Sequence, residues 1–198
     1  MSRRLIFLLV PLGMLLLAMR GCQPYEFKGA VLEPPKAISD FSLPAHDGSE
    51  FRLSDYEDRI VLIYFGYTSC PDVCPATLYQ VKQAMEVLGD KAEQVQFVMI
   101  TVDPERDTPE RLADYLHNFN ETFIGLRTTD LARLDEVLSQ FGASYIIEEP
   151  ESGQTEYSVT HTASVFLLDR GLLLREIFPY GTPGEDMASD IQHILKGQ

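Results

Sequence analysis

The run Ile60-Val-Leu-Ile-Tyr-Phe65-Gly-Tyr-Thr-Ser-Cys70-Pro-Asp-Val-Cys74-Pro-Ala-Thr-Leu78 constrains this chain more than any other stretch. It opens on β-branched and aromatic residues too uniformly apolar for an edge strand, turns at Gly66, and continues with helical spacing. Both cysteines therefore stand where a buried strand gives way to a helix. Free backbone N–H groups and the positive end of the helix dipole lower a thiol's pKa there, and the thiolate is the form that attacks disulfides or binds metals. Cys70 and Cys74 are four positions apart, which on a first helical turn points both sulfurs the same way. Such a pair can share one ion or close one disulfide.

The rest of the chain supplies a frame for that junction. Phe41-Ser-Leu43 and Glu50-Phe-Arg-Leu53 flank Asp47-Gly48, a hairpin signal. After the cysteine helix, stopped by Gly89, Val95–Val102 reads as a second buried strand. Thr108 is placed to cap a helix with Pro109 in its first position and Leu112, Tyr115, Leu116 and Phe119 on its inner face. A short strand near Ile124–Leu126 leads to a helix from Asp130 to Phe141, closed by Gly142. Strand signals at Tyr145–Ile147 and Tyr157–Val159 bracket a polar loop, Ala163–Leu168 and Leu172–Phe178 form a hairpin around Asp169-Arg-Gly171, and Thr182-Pro183 opens a closing helix. Alternating strands and helices followed by a hairpin predict an α/β fold with a central mixed sheet flanked by helices and an N-terminal β-hairpin extension, the thioredoxin-like pattern.

Ahead of this domain, Arg3 and Arg4 precede an apolar stretch from Leu5 to Met19, shorter than a membrane span, followed by Arg20-Gly21-Cys22. Residues 1–22 read as an export segment and resemble a bacterial lipoprotein signal in which Cys22 becomes the lipid-modified first residue. An uncleaved signal anchor is the alternative, because Met19 and Arg20 are atypical before Gly21. Residues 23–38, with three prolines and little periodicity, are expected to be a tether, and residues 39–198 the domain. Either anchor places the domain outside the cytoplasmic membrane, in the periplasm or its equivalent in the bacterial cell envelope. Removing Arg3, Arg4 and Arg20 leaves thirteen basic residues against thirty acidic ones, a net charge near −17. That charge opposes nucleic acid or anionic lipid as a partner of the folded part and suits cations.

Val159-Thr-His161-Thr stands just before the strand Ala163–Leu168, where the thioredoxin-like arrangement brings a proline-bearing loop against the reactive cysteines. Here a histidine occupies that loop, so Cys70, Cys74 and His161 are expected to converge. Two sulfurs and an imidazole favour copper, trigonal for Cu(I) and with room for an added ligand on Cu(II). Zinc is the competitor, but a structural zinc site takes four ligands, and His46, His117 and His193 have no mutual spacing that would supply one. Asp72 and Asp103 are the acidic residues placed to stand behind the ligands. For Asp72, Asp103 and Asp107, turn formation and helix capping are the plainer expectation.

Gly66-Tyr-Thr-Ser-Cys70-Pro-Asp-Val-Cys74-Pro, Val102-Asp-Pro-Glu-Arg-Asp-Thr-Pro109 and Thr160-His161 resemble the SCO/SenC family from about Phe41 to the C-terminus. The resemblance implies a membrane-tethered, thioredoxin-like protein that binds copper through Cys70, Cys74 and His161. It also implies a role in maturing cytochrome c oxidase, by taking copper from donor proteins to the dinuclear site of subunit II or by reducing that site's cysteines. The lipoprotein-like signal departs from a plain transmembrane anchor. A thiol–disulfide oxidoreductase using Cys70 and Cys74 is the alternative function. A peroxidase is disfavoured, since Tyr67 and Ile63 stand where peroxiredoxins have threonine and proline.

Overall fold

The computed structural model of the chain describes residues 24–150 and 157–197. Residues 1–22, expected to be an export segment ending at Cys22, lie outside the described residues. The first strand, β1 (Ala30–Ala37), is followed by the expected hairpin of β2 (Ser42–Pro44) and β3 (Glu50–Arg52). Next come β4 (Ile60–Gly66), α1 (Val73–Leu88), β5 (Val95–Thr101), α2 (Pro109–His117), β6 (Ile124–Leu126) and α3 (Leu131–Phe141). A ribbon of β7 (Tyr145–Glu148) and β8 (Ser158–His161) precedes the hairpin of β9 (Val165–Leu168) and β10 (Leu173–Phe178), and α4 (Gly184–Gly197) closes the chain. Among the described residues no helix is long and apolar enough to cross a membrane.

The six-stranded sheet runs in the order β1-β10-β9-β4-β5-β6, with β4, β5 and β6 parallel and β9, β10 and β1 antiparallel. Every residue of β4 and β5 is buried, as expected of strands covered on both faces. Removing one of their large side chains, as in Ile63→Ala, costs about 2–5 kcal/mol. The helix ends follow their local signals: Thr108 accepts the Arg111 N–H, Asp130 accepts the Arg133 N–H, and Gly142 closes α3 at φ 66°.

The tether does not extend as far as the sequence suggests, because Ala30–Ala37 pairs with β10 as an edge strand. Pro34 and Pro35, which argued for a linker, sit where that pairing slips register between Val31 and Lys36. At a sheet edge a residue without an N–H forfeits no ladder bond.

Residues just before β1 are strapped to α4 and β10. Tyr25 stacks on His193 with ring centroids 3.8 Å apart, and its hydroxyl donates to Asp190 at 2.6 Å. The Lys28 N–H donates to Asp190 at 2.7 Å and the Gly29 N–H to Glu176 at 2.9 Å. Glu176 and Asp190 are both fully buried. Burial, and then the hydrogen bond between the two carboxyl groups, push Glu176 from 4.5 up to about 9, so Glu176 keeps its proton at neutral pH.

A folded-state pKa above the unfolded one means that this contribution to stability is complete below about pH 4.5 and is lost as pH rises through about 9. Glu176→Gln keeps a donor toward Asp190 and has no proton to lose. Its melting temperature, followed from about pH 5 to 9, is expected to fall less steeply than that of the native protein. Equal slopes would show that no proton is held there.

Candidate metal centre

β4 delivers the chain to the site, and Gly66 lets it arrive. A Cβ on Gly66 would lie 2.6 Å from the Tyr64 ring and 3.0 Å from the Cys74 sulfur, so the strand's last residue must be bare for the cysteine helix to pack on it. The Val102 N–H donates to the Gly66 carbonyl at 3.0 Å, locking the exits of β4 and β5 together. The loop turns at Tyr67–Cys70, and α1 starts at Val73. Cys74, in the first turn of α1, is fully buried, whereas Cys70 is half-buried on the wall of a cavity of about 340 Å³.

The first turn of α1 is capped by sulfur. The Asp72 side chain, a candidate cap in the sequence, makes no capping hydrogen bond and is exposed. Instead the Cys74 N–H donates to the Cys70 sulfur at 3.4 Å. Cys70 becomes the thiolate: the hydrogen bond it accepts from the Cys74 thiol holds it at about 3, against the opposing effect of burial, with the Cys74 and Asp72 N–H groups adding to it. The same bond, followed by burial, raises Cys74 above the usual thiol range. From the sequence, both cysteines are expected to be acidified by the helix end. The structure separates them, because Cys74 lies too deep to shed its proton and keeps it for Cys70.

His161 ends β8 and reaches the pair as expected. Its Nε2 is 3.4 Å from the Cys74 sulfur, and the ligand atoms of Cys70, Cys74 and His161 all lie within 4.8 Å of one another. Nδ1 of His161 faces the Thr162 carbonyl at 3.2 Å, which places the ring proton on Nδ1 and turns the Nε2 lone pair toward the sulfurs. Tyr64 and Tyr67 stand edge-on to the imidazole at 5.9 and 5.8 Å. The Tyr64 hydroxyl donates to the Cys74 sulfur at 3.5 Å.

The two aspartates of the Asp103–Asp107 turn do more than shape it. The Asp107 N–H closes the turn on the Asp103 carbonyl, but Thr108, not Asp107, caps α2. The buried Asp107 carboxylate accepts from the Thr68 N–H and hydroxyl and from the Thr101 hydroxyl, tying the cysteine loop to β5. Asp103, equally buried, accepts from Tyr157 at 2.7 Å and from Arg106. Neither Asp72 nor Asp103 is among the hydrogen-bond partners of His161 in the described residues. Sequence reasoning missed Tyr64, Arg106 and Tyr157. Tyr64 shares its strand parity with Gly66 and so the face under the cysteine helix, a signal that was present.

The remaining histidines stay outside the centre. The Gly125 N–H donates to Nδ1 of His46 at 2.9 Å, and the His46 ring meets His117 edge to face, an approach the spacing did not suggest. His193 serves the Tyr25 strap.

A family model described as SCO1/SenC matches residues 30–196. The SCO2-like protein of Rickettsia felis is 33% identical over 163 residues, which cover 82% of this chain and 77% of that protein. The apo Sco1 structure from Thermus thermophilus is 38% identical with a TM-score of 0.75, covering 87% of this chain and 99% of that one. The ScoI structure of Bradyrhizobium japonicum with copper bound is 30% identical with a TM-score of 0.71, covering 80% and 99%.

The asymmetry of the thiols is open to a direct check in the reduced, metal-free protein. With Cys70 held at about 3, its thiolate fraction is constant above about pH 5, whereas an ordinary thiol loses about a thousandfold between pH 8 and 5. Iodoacetamide is expected to alkylate Cys70 at pH 5 nearly as fast as at pH 8 and to spare Cys74, read by peptide mass spectrometry. A steep loss of rate at Cys70 would contradict the shared-proton arrangement.

Proposed function

The chain belongs to the SCO1/SenC family, and from that membership we propose that it is a copper metallochaperone, which binds copper through Cys70, Cys74 and His161 and assists assembly of the dinuclear copper site of cytochrome c oxidase subunit II. The observation that carries this reading is the meeting of the three ligand atoms within 4.8 Å. A trigonal centre with bonds of about 2.0–2.3 Å spaces its donors about 4 Å apart, so small side-chain rotations close the set. The donors fit the cargo: sulfur suits Cu(I), and an imidazole serves Cu(I) and Cu(II) alike.

Each ligand has its own part in loading. Cys70, ionised and open to the cavity, meets the cation first. Cys74 surrenders its proton as the second sulfur engages, so uptake near neutral pH releases about one proton per ion. His161 offers Nε2 already turned inward. Three protein ligands leave the cargo accessible, and a partner's thiolates replace them one at a time. In this reading the domain works in the bacterial cell envelope, held to the membrane through lipid on Cys22 or through an uncleaved anchor, and is loaded by copper donor proteins.

The division between an exposed thiolate and a buried thiol also favours a second activity, thiol–disulfide exchange. Cys70 attacks a partner's disulfide, forming a mixed disulfide and releasing one partner thiolate, which takes up the Cys74 proton. Cys74 then attacks the Cys70 sulfur, forming the Cys70–Cys74 disulfide and leaving the partner reduced.

Mixing the copper-loaded protein with an apo subunit II fragment separates these readings when metal and thiol states are followed together. Copper is expected to move, and a partner that is reduced without gaining copper would favour the second reading. Replacing His161 by Ala should lower Cu(I) affinity by at least about tenfold while sparing disulfide exchange. Copper binding that survives loss of both Cys70 and Cys74 would overturn the proposal.

A further inference from the structure

His161 is carried by a strand that the main sheet does not hold. β8 pairs with β7 in a separate two-stranded ribbon, and the bonds between Ser144 and Thr162 join that ribbon only to itself. What sets the imidazole over the sulfurs must therefore be side chains that fasten β8 to the body. The Val159 N–H donates to the Tyr67 hydroxyl at 3.4 Å. Another fastening lies at Tyr157, four residues before His161, and Arg106 is at its centre.

Arg106 grips Tyr157 in more than one way. Its Nη1 donates to the Tyr157 carbonyl at 2.9 Å, and its guanidinium carbon lies 3.7 Å above the centre of the Tyr157 ring. Its Nε pairs with Asp103, the same carboxylate that accepts from the Tyr157 hydroxyl at 2.7 Å. The guanidinium also stands 5.6 Å from the centre of the Tyr67 ring, which in turn is edge-on to His161. Nη2 is buried without a hydrogen-bond partner among the described residues, so the group is placed for its flat faces as much as for its donors.

We propose that Arg106 is a positioning residue for the third ligand: braced by Asp103 at the exit of β5, it clamps Tyr157 and Tyr67 and so keeps β8 folded back with His161 over Cys70 and Cys74. The consequence for copper rests on the reading proposed above, whereas the placement of the imidazole in the metal-free protein does not. Loss of the clamp leaves the sulfurs and their capping geometry in place and lets the imidazole drift.

Two variants test this. Arg106→Lys keeps a cation for the buried Asp103 but cannot stack and donate at once. Tyr157→Leu leaves the Arg106–Asp103 pair intact and removes the ring and hydroxyl it holds. In the reduced, metal-free protein, the ring protons of His161 are expected to carry ring-current shifts from Tyr64 and Tyr67, which NMR would read. Both variants are expected to move those signals toward those of an unstructured histidine, while iodoacetamide still alkylates Cys70 in preference to Cys74. Persistence of the native shifts in both would overturn the clamp, whatever happens with copper.

The second arm measures Cu(I) affinity against a competing chelator in the native protein, Arg106→Lys, His161→Ala and the double variant. Arg106→Lys is expected to weaken binding about 10- to 100-fold in the native background and to cost nothing further once His161 is gone. An equal loss in both backgrounds would mark a general structural effect and refute the assignment. Failure of the native protein itself to bind Cu(I) would sink the copper reading, and the imidazole shifts would still decide the clamp.

Discussion

The structure depends on β4 being a central strand, buried on both faces and paired on both edges. That burial fixes the height at which the chain leaves the sheet, and Gly66 fixes how closely α1 can lie across the exit. The parallel neighbour β5 is bound at the same level through Val102 and the Gly66 carbonyl, so its own exit, from Asp103 to Asp107, becomes a second wall. Asp107 gathers Thr68 and Thr101, while Asp103 gathers Arg106 and Tyr157. A rigid sheet end thus supports three loops that the hydrogen-bond ladder does not reach.

Electrostatics at that end follow from depth. One sulfur faces a cavity and one faces the core, and a single proton between them satisfies both: ionisation costs least at Cys70 and most at Cys74. A related arrangement recurs where the buried Glu176 keeps its proton beside Asp190, and both bind the backbone of the strap. In both places a low-dielectric setting tolerates one charge but not two.

Much of the architecture was legible because it rests on local signals. The apolar run of β4, the Thr108–Pro109 start of α2, the Asp130 and Gly142 ends of α3 and the Asp169–Gly171 hairpin each announce themselves within a few residues. β1 did not, because its prolines carry the same signature in a linker as on a sheet edge, and only the partner strand β10 distinguishes the two. Asp103 and Asp107 looked like turn formers for a related reason: their backbones do form the turn, and what their carboxylates hold lies on β4's loop and β8. His46 and His117 meet across a separation that no spacing rule addresses.

By itself the sequence determined that two cysteines would open a helix at the end of a buried strand, since hydrophobic periodicity and turn chemistry act over a handful of residues. It also carried the motifs by which the family is known. Which sulfur is ionised, and what holds an imidazole against the Cys74 sulfur from 87 positions further along the chain, were decided only by the folded chain. Proton affinity and the position of an unladdered strand are set by depth, dielectric and contacts between distant segments, and these quantities exist only once the chain has closed on itself.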